Sequence, residues 1–355
     1  MKSKLVVMGM FAWLLAACQQ SEPTTVMDLF KTSKSLVQQE SGISEEHLAR
    51  VEGLTCDGEN LIVYDLHSGQ SYSLFHLNTG AYITRFGNIG QGPDEIPAGC
   101  FGYLNKGSFT VFNNQTKEIK QYCLGALNGQ HEVERPVRLA RYDIPGFYVS
   151  RLIAINDSTF LGAGCYQSAH QFVCFNKNGD VIDSGIDVYN KSNQAFNDAN
   201  RSLANQGDLV MQPSGNVFAY SLNFSSNLDI IKMSDGKISS VKSLRMGDPV
   251  YKPAVGGGGA FSSADPTQET IIGYIGLSAT ENYIYALYSD KKLYEQGSRK
   301  SATVLQFDWQ GNAVSKFTLD AEAHFITVDA ADQNLYAAVK DESGGWKIVV
   351  YHLED

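Results

Sequence analysis

The chain has 355 residues, 43% of them hydrophobic and 19% charged, and its 28 Lys and Arg face 38 Asp and Glu for a formal net charge of −10. So acidic a surface argues against nucleic acid and anionic lipid as partners and fits a domain facing an aqueous space. The length exceeds what one simple core needs and is ordinary for a repeat architecture.

The first elements set the compartment. Lys2 and Lys4 precede an apolar run from Leu5 to Leu15, which has the form of a signal peptide and is too short to span a membrane as a mature helix. The tetrapeptide Leu15-Ala16-Ala17-Cys18 resembles the lipobox of bacterial lipoproteins. That resemblance implies removal of residues 1–17 and acylation of Cys18; the other reading is an ordinary secretory signal with an incidental cysteine. Two or three acyl chains bury enough methylenes to hold a protein on a membrane. Residues 18–34 are then expected to be a lipidated flexible tether, polar from Gln19 to Thr25, ahead of a single domain over 35–355. No second apolar run of spanning length follows, so the lipid is the one expected membrane contact. Loss of Lys2 and Lys4 takes the 28 basic residues to 26 against 38 acidic, a balance of −12. Gln19 is not a residue expected to retain a lipoprotein at the inner membrane, which points to the outer membrane. Glu22 is the one acid near the cysteine, and the side of that membrane is left open.

From residue 57 onward, turn signals recur, each followed at once by a β-rich run. They are Asp57-Gly58 before ENLIVYD, Lys106-Gly107 before SFTVFN, Asn156-Asp157 before STFLGAGC, Ser214-Gly215 before NVFAYSL, Thr280-Glu281 before NYIYALYS, and Ala331-Asp332 before QNLYAAV. Counted from Gly58, Gly107, Asp157, Gly215, Glu281 and Asp332, the intervals are 49, 50, 58, 66 and 51 residues. A second set of turns runs in step at Gly80, Gly129, Gly179, Gly236 and Gly311. Asn128-Gly129, Asn178-Gly179 and Asp235-Gly236 are hairpin dipeptides because both central residues tolerate positive φ. Each unit is thus four antiparallel strands, and a four-stranded unit repeated six times predicts an all-β, six-bladed β-propeller. Between the first two units, RFGNIGQGPDEIP (Arg85 to Pro97) reads as a shaped crossover rather than a strand or helix. The intervals of 58 and 66 locate insertions. Asp187 to Gln206 carries Ala195, Phe196, Ala199 and Leu203 at helical spacing, while Tyr251 to Thr270, with Gly256 to Gly259, reads as a long mobile loop. The last unit, from His324, has three strands, so its fourth is expected from the N-terminal segment Leu36 to Ser41, closing the ring.

FGNIGQGPDEIP after a strand, the pattern YSLFHLNTGAYITRFG and the lipobox together resemble the TolB-like six-bladed β-propeller lipoproteins of Bacteroidetes. The sharpest shared motif is the Gly-x-Gly-Pro-x-Glu run from Gly90 to Glu95. The resemblance implies a fold and an envelope address and almost nothing about activity.

Chemistry is harder to place. Gly87 to Gly92 lacks a following Lys-Ser/Thr and the spacing of a dinucleotide fingerprint, so it is not expected to cradle phosphate. No G-x-S-x-G occurs, and the seven histidines show no HExxH, so neither an elbow serine nor zinc is expected. The inner strands offer Arg151, Asn156, Asp208, His324 and Asp329, a mixed set with too few carboxylates for calcium. No metal and no cofactor is expected. Gln91, Asp94 and Glu95 are candidates for ligand contact on the crossover face; the other reading has the two acids capping neighbouring amides. Tyr189, Tyr251 and Phe261 sit in the insertions, exposed for binding or buried against the ring. Cys165 and Cys174 would lie opposite each other if the turn fell at Ala169-His170, and are the disulfide candidates, against a reading as small buried hydrophobes. Asp157-Ser158-Thr159 resembles an O-glycan acceptor of exported Bacteroidetes proteins, with Ser158 as the modified residue.

The functional expectation is a non-enzymatic binding or interaction module for a protein, peptide or glycan at the cell envelope. The alternative is a propeller hydrolase or lyase with its site at the channel mouth. Two convergent acids in a solvent-filled pocket, or one acid meeting His324 or Arg151, would favour the enzyme.

Overall fold

The structure, a computed structural model, describes residues 25–98, 101–113, 116–127, 130–133, 135–142, 149–164, 170–187, 197–255 and 262–354. Six small antiparallel sheets form a ring, and this is the expected six-bladed propeller. Counted from inside to outside, blade 1 is Val51–Cys56, Asn60–His67, Gln70–His76 and Tyr82–Asn88. Blades 3 and 4 begin with the inner strands Arg151–Asn156 and Gly207–Met211, blade 5 with Ile271–Ala279 and blade 6 with Phe325–Val328. Blade 2 (inner strand Gly102–Asn105) departs from the plan: its third strand, Glu118–Leu127, pairs along one half with Gln130–Val133 and along the other with Val137–Arg141. Asp235-Gly236 has the predicted chemistry, with φ of 52° and 73°, and Lys106-Gly107 shares it with 48° and 74°; at Asn178-Gly179 only the glycine is positive, at 85°, and Asn128-Gly129 lies outside the described residues.

Apolar side chains alternate inward along the strands, so facing blades bury six separate cores, one per junction. The N-terminal segment stitches three consecutive junctions. Val26 and Phe30 enter the core between blades 4 and 5, Leu36 the core between 5 and 6, and Ile43 the core between 6 and 1. Full burial of such side chains is worth about 2 kcal/mol each. Ser33–Leu36 runs parallel to the outer strand Ala313–Ala323 of blade 5, and Gln39–Glu40 pairs antiparallel with Trp346–His352 of blade 6. The second pairing supplies the missing fourth strand and covers the edge of Trp346–His352. The chain then passes directly over a turn of blade 1: a Cβ on Gly80 would lie 2.4 Å from the Gly42 carbonyl carbon, so both positions require glycine.

Several expectations are corrected. The closing strand is Gln39–Glu40 alone, because Leu36 belongs to the parallel strand on blade 5. The ordered domain starts ahead of residue 35, since Val26-Met27-Asp28-Leu29-Phe30 forms a 3-10 turn over Val26–Leu29 with Val26 fully buried. The segment from Tyr251 is no simple loop but a hairpin of Tyr251–Val255 with Ser262–Pro266. The predicted helix is present as Asp198–Ala204, capped by Asn197, but it buries Ala199, Asn200, Ser202 and Ala204 rather than a stripe through Leu203. Cys174 is a free thiol facing Leu161 and Asp183 across its two ladders, so the proposed bridge to Cys165 is not made; Cys165 itself lies outside the described residues. Cys18, Tyr189 and Phe261 lie outside them as well.

Phe30 meets Phe307 edge-on at a centroid distance of 5.2 Å. Phe30→Ala is therefore expected to cost about 3 kcal/mol in denaturant unfolding. A change within error would mean that the segment is a tether after all.

Candidate functional site

The crossover that follows Tyr82–Asn88 is built to be rigid. The Gly92 N–H donates to Glu95 Oε2 at 2.7 Å, and a Cβ on Gly90 would sit 2.0 Å from that same oxygen, so glycine there is a condition of the cap. Lys120, buried on blade 2, donates from Nζ to Pro93 O at 3.0 Å and to Glu95 O at 2.6 Å. Charge-assisted bonds of this kind are worth about 2 kcal/mol each. Asp94 is exposed with Arg135 Nη1 at 3.5 Å, and Gln91 is exposed beside it. The cavity behind this loop is about 20 Å³, room for little more than one water. Of the three predicted ligand contacts, Glu95 is thus spent on the loop itself, and none of the three lines the channel.

The channel is a cavity of about 640 Å³, and all six inner strands wall it. Inner strands of a propeller run in the same sense, so their first residues gather at the mouth onto which the crossovers open. Phe101, Arg151, Asp208 and His324 all belong to that end. Asp208 of blade 4 accepts from Arg151 Nε of blade 3 at 3.0 Å, from the Leu277 N–H of blade 5 at 2.9 Å and from the Leu209 N–H at 3.1 Å. One carboxylate therefore ties three blades together, Oδ1 accepting two hydrogen bonds and Oδ2 one. Arg151 also donates from Nη1 to Ser150 O at 2.9 Å, and its guanidinium carbon lies 4.5 Å from the Phe101 ring centroid. Tyr64 donates to Gly102 O at 2.6 Å.

His324 packs edge-on against Trp346 at 5.1 Å. Burial, then Lys340 and Lys300, hold its imidazole below the ordinary value against the opposing pull of Glu322, so it is neutral at pH 7. Toward the other mouth the Cys56 thiol donates to Val328 O at 3.1 Å and lies 3.3 Å from Thr327 Oγ1. Burial pushes it up to about 12, the Thr327 hydroxyl offsetting part of the rise.

The remaining candidates are turn residues. Asn156 Oδ1 accepts from Ser158 N and Oγ, each at 3.0 Å, leaving Ser158 exposed. Asp329 accepts from the Gln333 and Asn334 amides at 2.8 and 3.1 Å. Tyr251 is buried rather than presented for binding. Among the described residues no three His, Cys, Asp or Glu side chains are grouped to hold a metal ion. Sequence reasoning named Arg151, Asp208 and His324 but not their meeting, which requires the ring to bring residues 57 and 116 positions apart to one mouth. It missed Phe101 and Cys56, which no motif marks.

A family model described as TolB-like 6-blade propeller-like matches residues 54–331. No curated protein matches the chain in sequence. Among solved structures, a Bacteroides fragilis protein described as exported superposes with a TM-score of 0.51 at 12% identity, over 90% of this chain and 99% of that one. A calcium-binding protein, regucalcin, from Agrobacterium tumefaciens gives 0.47 at 10% identity, over 90% and 95%. A gluconolactonase from Xanthomonas campestris gives 0.47 at 12%, over 86% of each chain. At such identities the first likeness is one of fold alone.

With its thiol pushed up to about 12, Cys56 is expected to resist alkylation. At pH 8 only about one molecule in ten thousand carries the thiolate, so iodoacetamide labelling followed by mass spectrometry should find this residue unmodified in the native protein and labelled after unfolding. Fast native labelling would expose a nucleophile in the channel.

Proposed function

We propose, for a chain that belongs to the TolB-like 6-blade propeller-like family, that it is a non-enzymatic binding module of the cell envelope, taking a protein segment, peptide or glycan at the channel mouth. The observation that carries this reading is the state of the channel's polar groups. Three of the four acceptor sites of Asp208 are engaged in bonds to the scaffold, Cys56 stays protonated and, among the described residues, no carboxylate is hydrogen-bonded to His324, while the cavity is large enough for a ligand. A general base needs a lone pair within reach of substrate, and a nucleophile needs activation; a binding surface needs neither.

A hydrolase or lyase is the second reading, and one observation favours it: Asp208 and Arg151 do meet in a solvent-filled cavity. The use of three of the four acceptor sites of Asp208 in bonds to the scaffold weighs against it. In the envelope reading Cys18 carries the lipid, the membrane is the outer one, and exposed Ser158 is open to glycosylation.

Two experiments test this. Gly276 lines the channel, and a Cβ there would meet only Asp208 Oδ2, at 3.7 Å, so Gly276→Leu fills the cavity without a backbone clash. Peptide and glycan arrays should give ligands whose binding falls at least about tenfold in that variant, without turnover. Turnover that Asp208→Asn abolishes would establish the enzyme instead. Cys18→Ser should move the protein from the membrane fraction to the soluble one, and an unchanged distribution would overturn the lipid anchor.

A further inference from the structure

Resting on the binding reading above, we infer that the channel mouth recognises the carboxylate of a peptide C-terminus that ends in apolar residues, with Arg151 as its anchor.

Of the five N–H donors of Arg151, Nε is spent on Asp208 and one hydrogen of Nη1 on Ser150 O. Nη2 and the second hydrogen of Nη1 carry no hydrogen bond among the described residues, and the side chain lines the cavity. Asp208 and Phe101 fix the plane of the guanidinium, one at its edge and one on its face. The two terminal nitrogens are thereby held in the fork that matches a carboxylate, so little side-chain entropy is lost on binding. Asp208 cancels the charge of Arg151 in the far field, and the chain as a whole is at −10. Around the mouth two other acids are paired as well, Glu52 with Arg50 at 2.7 Å and Glu322 with Lys300 at 2.7 Å. A neutral His324 can also accept or donate one further hydrogen bond.

The walls decide what body that carboxylate carries. Leu54, Ile275 and Phe325 are half-buried and line the cavity, while Phe101 is 41% exposed at its mouth. Two polar side chains on the same walls are already paired: Ser278 Oγ accepts from the Val328 N–H at 2.9 Å, and Thr327 faces Cys56. A sugar needs several free donors and acceptors around its hydroxyls, and the stretch of wall formed by Leu54, Ile275, Phe325 and Phe101 offers apolar surface instead. Apolar side chains next to a terminal carboxylate match it better, and the crossover-side mouth gives the rest of the peptide an exit.

The test uses the purified full chain and two probes that differ only at the C-terminus, N-acetyl-Leu-Phe and its amide, with digalacturonate as an acidic glycan control. By calorimetry the free acid should bind at least about tenfold more tightly than the amide, and Arg151→Gln should reduce that preference to within about twofold while amide binding persists. Phe101→Ala should weaken both. Should Arg151→Gln not fold, salt replaces it: from about 20 mM to about 0.5 M the acid should lose affinity and the amide should not. Equal binding of acid and amide to the wild type, or a preference that survives Arg151→Gln, overturns the carboxylate anchor and leaves the channel as a binding site. Binding of digalacturonate alone, lost in Arg151→Gln, overturns the peptide assignment. Failure of all three probes to bind overturns this inference, and the arrays with Gly276→Leu then judge the binding reading by itself.

Discussion

A ring of sheets is stable only if its first and last sectors are joined, because an open junction would expose both a sheet edge and an apolar face. Here one N-terminal strap joins them. It contributes Val26 and Phe30 to one junction, Leu36 to the next and Ile43 to the third, and hands blade 6 its outer strand at Gln39–Glu40. Side-chain bonds support each station: Gln38 N–H donates to Asp320, Ser41 Oγ to Ile348 O at 2.6 Å, and His352 Nε2 lies 3.0 Å from Gln39 Oε1. Half of the ring's junctions therefore depend on about twenty residues that precede the first blade.

The closed ring in turn makes the channel, whose chemistry no single blade contains. Asp208 links blades 3, 4 and 5 through Arg151 Nε and the Leu277 N–H, a use that commits most of the carboxylate's acceptor sites to the scaffold. The same pairing orients Arg151 without exhausting it. An acid and a base brought together at a channel mouth can read as catalytic machinery, and the hydrogen-bond inventory of the carboxylate separates that case from a scaffold. The crossover Arg85 to Pro97 shows the same economy, since Glu95 caps Gly92 and Lys120 clamps two carbonyls of the loop.

Much of the fold was legible because blades are local: strand, hairpin and return fall within about fifty residues, and Asp235-Gly236 or Lys106-Gly107 announce their turns. What escaped was non-local or masked by composition. Val26-Met27-Asp28-Leu29-Phe30 is an apolar pentapeptide with one acid, and beside a polar stretch it passed for tether; nothing in it indicates a junction 277 residues away at Phe307. Leu36 looked like part of the closing strand because a parallel partner cannot be read from a four-residue run. Tyr251 to Thr270 looked unstructured because its glycines hid the hairpin that Tyr251–Val255 forms with Ser262–Pro266. At the site, Arg151, Asp208 and His324 could be named but not assembled, since their distances are set by the ring. Phe101 matters only because of the guanidinium it covers.

The central claim is that the channel mouth, and not the crossover face, receives the ligand. A crystal structure of the protein with a ligand identified by binding tests that claim most directly. The account predicts density between Phe101 and His324, in contact with the free edge of Arg151, and a crossover from Gly87 to Pro97 that keeps its Glu95 and Lys120 bonds. Density against Gln91 and Asp94, with only water in the channel, would contradict it.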